Sequence, residues 1–203
     1  MTRLRWLAII VLFALPQGGP APAVELAAGE TVAGKLLVAA ESMPDPRFQG
    51  TVIYMCRHGA GDGALGLVLN RRIGVVPGAT IAKEFELDAR PTEDSVALHW
   101  GGPVELGRGF VLHTSDYASE STTAVDSEIA YSVDTQVLVD IVEGRGPRRR
   151  ILVMGYAGWA AGQLESELLR NDWLVVPADQ SLVFDEDVAD MWREAIERFG
   201  VDL

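Results

Sequence analysis

The stretch KLLVAAESMPDPRFQGTVIYMCRHGAGDGALGLVLN, residues 35–70, decides the fold class. Three apolar runs of strand length, at residues 35–40, 51–56 and 64–70, are separated by segments rich in Gly, Pro and Asp. The turn GAGDG before the third run contains glycines that take positive φ without a steric penalty, which favours an antiparallel connection. The segment therefore predicts a strand-rich, antiparallel start to the folded domain.

Beyond residue 70, the apolar pattern predicts further strands first and helices mainly later. Strand-like runs occur at residues 96–100, 109–114, 151–158 and 172–177. Residues 81–87 form a short amphipathic turn, and the polar residues 115–128 predict an exposed loop. Because strands come in runs and helices concentrate late, the pattern favours an α+β architecture in one domain over a doubly wound sheet. The apolar runs also predict one continuous hydrophobic interior.

Three helices are predicted from apolar spacing and end signals. The first covers residues 135–143, with Asp134 or Thr135 as its cap and Gly144 as its stop. The second covers residues 160–171 and ends at Asn171, and its shared apolar face comprises Ala161, Leu164, Leu168 and Leu169. The third has acidic residues 185–187 at its positive end, closes at Gly200, and carries an apolar stripe of Val188, Met191, Trp192, Ala195, Ile196 and Phe199. Trp159, Trp173 and Trp192 are predicted to anchor the core.

Residues 1–23 have the layout of a secretory signal peptide. Arg3 and Arg5 precede the apolar run WLAIIVLFAL, and Ala21-Pro22-Ala23 supplies the small residues of a cleavage site before Val24. We therefore predict export to the periplasm, with no membrane span left after cleavage because the apolar run is short. The alternatives are a misassigned start codon with a cytoplasmic protein, and an uncleaved interfacial anchor.

The charge of the chain argues against broad nucleic-acid binding. Its formal net charge is −12, and an anionic surface repels phosphate backbones. The one basic cluster, RGPRRR at residues 145–150, is predicted to be a solvated loop because it lacks interleaved aromatic residues. Cys56 is the only cysteine, which excludes an intramolecular disulfide and a multi-cysteine metal site.

No short motif predicts a cofactor, a metal or a catalytic centre. The segment GPVELGRG, residues 102–109, lacks the Lys and the Ser or Thr of a phosphate-binding loop, and no GxSxG motif is present. His58, His99 and His113 form no short ligand pair. Cys56 and His58 stand two residues apart on a strand, which predicts that both side chains point to one face, where a thiol could be activated. A core role for Cys56 is the favoured interpretation.

Four segments, taken in order, carry a resemblance to the YqgE/AlgH family of bacterial proteins. They are GKLLVAAESMPDPRFQGTVIYMCRHGAGDGALGLVLNRRIG (34–74), GGPVELGRGFVLH (101–113), GYAGWAAGQLESELLRNDWLVVPA (155–178) and FDEDVADMWREAIERFGVD (184–202). The resemblance implies one α+β domain over residues 34–203, in which a bent, bifurcated, mostly antiparallel sheet forms a pseudo-barrel with packed helices. It also implies the label of transcriptional regulator, without an established reaction or DNA-binding motif. The chain departs from the pattern at Glu41, Arg72, Ala160-Ala161 and the leader, since the relatives are typically cytosolic.

The leading functional hypothesis is a non-catalytic regulatory or adaptor protein that recognises a protein or a ligand through its loops, by an unknown mechanism; an unknown protein is the expected partner. Its candidate binding residues are Met43, Asp45, Pro46, Phe48, His58, Asn70, Arg71, Gly101, Gly102, Pro103 and His113. Turn formation is the competing explanation for the glycines and prolines among them. The alternative function is a small-ligand-binding protein or an enzyme with a pocket near Cys56, His58, Asn70 and His113. DNA binding, which rests on the family label alone, ranks third.

Overall fold

A computed structural model describes residues 30–59, 61–185 and 187–198 of the chain. The predicted leader, residues 1–23, and the predicted helix end at Phe199 and Gly200 lie outside the described residues.

Ten strands in the described part of the chain form one connected sheet. They are β1 (Lys35–Ala39), β2 (Val52–Gly59), β3 (Gly63–Val68), β4 (Arg72–Pro77), β5 (Ser95–Trp100), β6 (Val104–Thr114), β7 (Thr123–Ala124), β8 (Ile129–Ser132), β9 (Arg150–Trp159) and β10 (Trp173–Pro177). The helices are α1 (Gly78–Glu84), α2 (Thr135–Val142), α3 (Gln163–Leu169), α4 (Gln180–Val183) and α5 (Met191–Arg198). Among these helices, none is long and apolar enough to cross a membrane.

The sheet is curled and divides in two at one strand. Its main path runs β10-β1-β2-β3-β9-β6-β8-β7, and the β4–β5 hairpin joins it through β9. Described neighbours pair antiparallel except β5 and β9, which are parallel. Helices pack against the curled sheet. The predicted α+β class and the bent, bifurcated, mostly antiparallel sheet are therefore confirmed.

The division lies at Gly155 in β9. On one edge of β9, β5 pairs with Leu152–Met154 and β3 pairs with Ala157–Trp159, while β6 occupies the other edge. Gly155, between these two pairings, has a φ of +71°, a conformation that L side chains rarely adopt. The bend at this residue lets one strand edge serve two diverging neighbours.

The connection between β5 and β6 crosses directly over β9 at this bend. The two strands lie on opposite edges of β9, about 10 Å apart, and the chain from Trp100 to Val104 reaches at most roughly 13 Å. A Cβ atom on Gly102 would lie 2.1 Å from the Tyr156 carbonyl carbon, and one on Gly101 would lie 2.3 Å from the Gly155 carbonyl oxygen. Only glycines allow this approach of backbone to backbone.

The hydrophobic interior is divided into clusters by the sheet, so the prediction of one continuous interior is wrong. Leu36 and Val38 of β1 belong to a cluster covered by α4 and α5, whereas Leu37 and Ala39 belong to a cluster covered by α3. A third cluster packs β5, β6 and β9 against α1 and α2. The reason is that β1, β2 and β3 are buried on both faces. An alternating apolar and polar pattern, which predicts a single buried face, does not describe such strands.

The helix predictions hold best where a cap is present. The Asp134 carboxylate accepts a hydrogen bond from the Val137 amide at the start of α2, and Gly144 takes a φ of +78° after its end, which confirms both predicted boundaries. In α3, Leu164 and Leu168 are buried, but Leu169 is 55% exposed. The predicted shared face is wrong for Leu169, because five residues along a helix turn the side chain away from the face. It is also wrong for Ala161, which is exposed and precedes the helix.

The last predicted helix is shorter than expected. Residues 180–183 form α4, and α5 begins only at Met191, so Asp185 and Asp187 precede the helix and do not occupy its first turn. Strands β4, β7 and β8 were not predicted, and β7 falls inside the predicted loop. In β4, the apolar side chains of Ile73 and Val75 are 61% and 50% exposed, and an edge strand of this kind lacks the buried apolar run that signals a strand.

The glycine crossing predicts that a glycine in the β5–β6 connection and a glycine in β6 respond very differently to substitution. We expect Gly102→Ala to lower the free energy of unfolding by more than about 2 kcal/mol, because the new Cβ meets β9 backbone and the φ of +148° is strained. Gly107→Ala is the matched control, since nothing lies within 4 Å of its Cβ position, and we expect a change within about 0.5 kcal/mol. Urea unfolding measures both, and equal effects would contradict the crossing.

Candidate functional site

A cleft of about 220 Å³ lies where the residue 43–50 loop meets the end of β9, α3 and the start of β10. We call it the tryptophan cleft. Its lining comprises Met43, Pro44, Asp45, Arg47, Phe48, Pro103, Val104, Gly158, Trp159, Gln163, Glu167, Arg170, Asp172 and Trp173. Four of the sequence-predicted binding residues, Met43, Asp45, Phe48 and Pro103, therefore meet in one place.

One carboxylate fixes the aromatic wall of the tryptophan cleft. The indole Nε1–H groups of Trp159 and Trp173 both donate to Glu167 Oε2, each at 2.8 Å. Glu167 Oε1 accepts from the side-chain amide of Gln163 at 3.0 Å. The two indole rings pack edge to face with centroids 6.0 Å apart, an arrangement that aromatic pairs prefer. The wall is therefore preformed.

The opposite wall is a loop held by its own hydrogen bonds. The Phe48 ring contacts Trp173 edge to face with centroids 5.8 Å apart. The Phe48 carbonyl accepts from the Thr51 hydroxyl at 2.7 Å, and the Met43 carbonyl accepts from the Gln49 side chain at 3.1 Å. These bonds order the loop without a ligand, so little conformational entropy remains to be lost on binding.

Asn70 and Arg71, two further predicted residues, anchor this loop from outside the cleft. The Asn70 side chain accepts from the Val52 amide at 2.9 Å and donates to the Gly50 carbonyl at 2.8 Å. Arg71 donates to the Gln49 carbonyl at 2.7 Å. Both side chains therefore hold the C-terminal end of the loop in place. The predicted residue Pro46 is exposed and does not line the cleft.

Gly101 and Gly102, also predicted, are buried at the crossing over β9. The two glycines contact the β9 backbone and do not line the cleft, but the residue that follows them, Pro103, does.

Two arginine–aspartate pairs stand at the rim of the tryptophan cleft. Arg47 binds Asp45 with its Nε and Nη2 atoms, and this guanidinium holds the pKa of the Asp45 carboxyl below its usual value. Arg170 binds Asp172 through two nitrogens at 3.0 and 2.6 Å. With Glu167, the lining carries two positive and three negative groups. The charges nearly balance, and the aromatic and aliphatic side chains of the lining supply apolar surface between them.

Cys56 and His58 point to opposite faces of β2, so the prediction that they share a face is wrong. The register between β2 and β3 shifts between Met55 and Arg57, which makes Cys56 the extra residue of a β-bulge. Cys56 packs in the cluster under α4 and α5 and is 5% exposed. His58 instead bonds Glu165 of α3 through Nε2 at 3.2 Å and the Val32 amide through Nδ1.

The remaining histidines are buried and bonded to backbone carbonyls. His113 Nδ1 donates to the Thr114 carbonyl at 2.8 Å, so its Nε2 accepts from the Ser132 hydroxyl at 3.0 Å. His99 bonds the Leu69 carbonyl through Nδ1. Burial lowers the pKa of both imidazoles. Among the described residues, no group of three or more His, Cys, Asp or Glu side chains is placed to hold a metal ion.

The four groups of the alternative pocket therefore have separate surroundings. Cys56 lies in the core, His58 bonds α3, Asn70 bonds the 50–52 segment, and His113 bonds β8. They share no hydrogen-bond partner in the bonds described.

The profile of the family described as AlgH-like matches residues 36–203. The chain belongs to the AlgH-like family. A UPF0301 protein of Rhodospirillum rubrum is 49% identical over 83% of this chain and 88% of its own length. A UPF0301 protein of Methylococcus capsulatus is 44% identical over 84% of this chain and 92% of its own length. The solution structure of AlgH from Pseudomonas aeruginosa is 38% identical, with a TM-score of 0.72 over 88% of this chain and 94% of that one.

Sequence reasoning missed the half of the cleft that comes from α3 and β10 of this AlgH-like chain. It assigned Trp159 and Trp173 to the core, where they are indeed 7% and 2% exposed, but both also form the cleft wall. One signal was available. Glu167 lies one helical turn from Leu164 and next to Leu168, so an acidic side chain borders the apolar face of α3 and requires buried donors.

The buried histidines predict a loss of stability in mild acid. In the folded AlgH-like chain, burial lowers the pKa of His113 below its unfolded value of 6.5. Below that pH the unfolded chain binds a proton that the folded chain does not, so the free energy of unfolding falls as the pH drops from about 6.5 towards the folded pKa. We expect His113→Gln to show a smaller fall, with His99 supplying the remainder. Urea unfolding between pH 7.5 and 5 measures it, and an unchanged fall would contradict the assignment.

Proposed function

We propose that this AlgH-like protein is a non-catalytic recognition protein that binds a protein partner by accepting one apolar side chain in the tryptophan cleft. The observation that carries the proposal is the preformed pair of walls, one fixed by Glu167 and the other by the hydrogen bonds of the 43–50 loop. Partners are commonly held by a few rigid anchors in desolvated pockets, and a preformed pocket of this kind suits such an anchor.

The size of the cleft favours an anchor side chain over a free metabolite. Its volume of about 220 Å³ lies below the range of about 300 to 1,000 Å³ that small-molecule sites occupy. Complete burial of one large apolar side chain contributes about 1.5 to 3 kcal/mol. A partner would therefore draw further affinity from the rim, where the pairs Arg47–Asp45 and Arg170–Asp172 can bond a peptide backbone or polar side chains.

The separate positions of Cys56, His58, Asn70 and His113 support a non-catalytic function. A nucleophilic thiol needs an accessible thiolate and a base within hydrogen-bond reach. Burial raises the pKa of the Cys56 thiol, and the bulge turns His58 to the other face of β2. The groups of the alternative pocket therefore do not support an enzyme built on this cysteine.

We propose that any regulatory role of this AlgH-like protein is exerted through the contact between the tryptophan cleft and its protein partner. The net charge of −12 opposes a direct role on the phosphate backbone of DNA. The signal-peptide pattern of residues 1–23 supports action in the periplasm, and action in the cytoplasm is the alternative. Cell fractionation of the tagged full-length protein would distinguish the two locations.

Selection of peptides tests the recognition proposal. We expect peptides selected from a random display library against the protein to share one apolar anchor and to shift the indole N–H signals of Trp159 and Trp173 in NMR spectra. The Trp192 indole packs on the other face of β1, against the cluster covered by α4 and α5, where it donates to the Ala39 carbonyl, so its signal should move less. Phe48→Ala should weaken binding more than about tenfold, or about 1.4 kcal/mol, while Phe85→Ala, a half-exposed phenylalanine outside the cleft, should not.

A second pair of variants separates binding from folding. Arg47→Ala and Arg193→Ala each remove one exposed arginine–aspartate pair, with the arginines 60% and 62% exposed, so both proteins should fold normally. Only Arg47→Ala should weaken peptide binding, by about threefold to tenfold, because Arg47 lies 5.7 Å from the Phe48 ring and lines the rim. Selected peptides that bind all four variants like the wild type would overturn the proposal.

The reactivity of the Cys56 thiol tests whether this cysteine could serve as a catalytic nucleophile. We expect iodoacetamide at pH 7 to modify Cys56 only when the protein unfolds, because the thiol is 5% exposed and its raised pKa disfavours the thiolate. Mass spectrometry with and without urea measures the extent of modification. Rapid alkylation of the native protein would favour an accessible catalytic thiol instead.

A further inference from the structure

A second cleft, of about 680 Å³, lies on the other side of the sheet bifurcation and gathers four arginines. We call it the basic cleft. The β4–β5 hairpin contributes Arg72, the approach to β9 contributes Arg148 and Arg149, and β9 itself contributes Arg150. Residues 148–150, at the end of the predicted solvated loop, therefore also line a cleft, which the sequence pattern did not indicate.

The arginines of the basic cleft are held in position. Arg149 donates to the carbonyls of Gln180 at 3.0 Å and Phe184 at 3.2 Å, and its guanidinium lies 5.6 Å from the Phe184 ring centroid. Carbonyl acceptors leave the charge of the guanidinium in place, whereas a carboxylate would neutralise it. Arg150 is 16% exposed and is bonded by Asp94 at 2.6 Å.

The cleft keeps positive charge on a negatively charged protein. Asp94 and Asp116 bind Arg150 and Arg148, and Asp185 lines the cleft. Arg149 is bonded by carbonyl oxygens and not by a carboxylate, so its positive charge stays in the cleft although the whole chain carries −12. Since Arg148 is 83% exposed, its pair with Asp116 contributes little and can be exchanged for a stronger anion.

One further feature concerns the side chain of Arg150. Among the described residues, the buried Nε–H of Arg150 has no hydrogen-bond partner. Buried donors of this kind are rare and often mark an ordered water or a bound ion.

We propose that the basic cleft binds a small organic phosphate. Guanidinium groups match the oxygens of phosphate in planar, paired hydrogen bonds. The volume falls within the range of about 300 to 1,000 Å³ for small-molecule sites, which leaves room for an organic part beside a phosphate. Ala97, Ile151 and Phe184 supply apolar surface for that part. A nucleic-acid polymer is disfavoured because the surrounding surface is acidic.

Titration with four probes tests this proposal on the full chain. The probes are ADP, glucose 6-phosphate, 3-phosphoglycerate and inorganic pyrophosphate, with adenosine as the phosphate-free control for ADP. At low salt, calorimetry should show at least one organic phosphate binding with a dissociation constant below about 1 mM, and no binding of adenosine. Arg149→Gln should weaken that binding at least tenfold.

Two more variants keep the test independent of folding. Because Arg149 also bonds the α4 region, Arg148→Gln serves as a variant at an 83% exposed position, and we expect it to weaken binding at least threefold. Arg193→Gln, 62% exposed on α5 and outside the cleft, should bind like the wild type. The proposal is overturned if none of the three organic phosphates binds, whether or not pyrophosphate does, or if binding is equal in all variants.

Discussion

The fold depends on a contact between two backbones, the crossing of Gly101 and Gly102 over β9 at Gly155. The short β5–β6 connection must pass over β9 because the two strands lie on its opposite edges. Gly155 bends β9 away at the same point, so that its edge passes from β5 to β3. The sheet divides there, and the position of both clefts depends on this division. Strand β5, which leads to the crossing, lines the basic cleft, and Pro103, which follows the crossing, lines the tryptophan cleft.

Local sequence signals predicted the parts of the fold that are decided locally. The first three strands, α2 with its Asp134 cap and the Gly144 stop follow from apolar runs, side-chain capping and glycine conformation, all within a few residues. The parts decided by distant neighbours were missed. Strand β4 forms because β5 offers an edge, although its own apolar side chains are exposed. The division of the core into clusters likewise depends on which helices cover each face of the sheet.

The candidate site shows the same limit in its chemistry. The loop residues Met43, Asp45 and Phe48 could be named from the sequence, since their Pro-rich surroundings mark a loop. The role of Glu167 as the acceptor of two indole N–H groups could not be predicted, because both indoles come from other elements of the fold. A single extra residue at Cys56 reverses the face of His58, and no apolar pattern reveals a bulge of one residue.

The two clefts lie at opposite ends of one strand, and this placement limits how they can influence each other. Arg150 at the start of β9 lines the basic cleft, and Trp159 at its end lines the tryptophan cleft, so about 30 Å of extended chain separates them. A ligand in one cleft could act on the other along β9, or through the start of β4, where Arg72 lines the basic cleft and the preceding residue Arg71 holds the 43–50 loop. Gly102 packs against the β9 backbone between them without room for a methyl group, and close-packed backbone resists sliding. Coupling along β9 should therefore be weak, and the adjacent residues Arg71 and Arg72 form the shorter path between the two clefts.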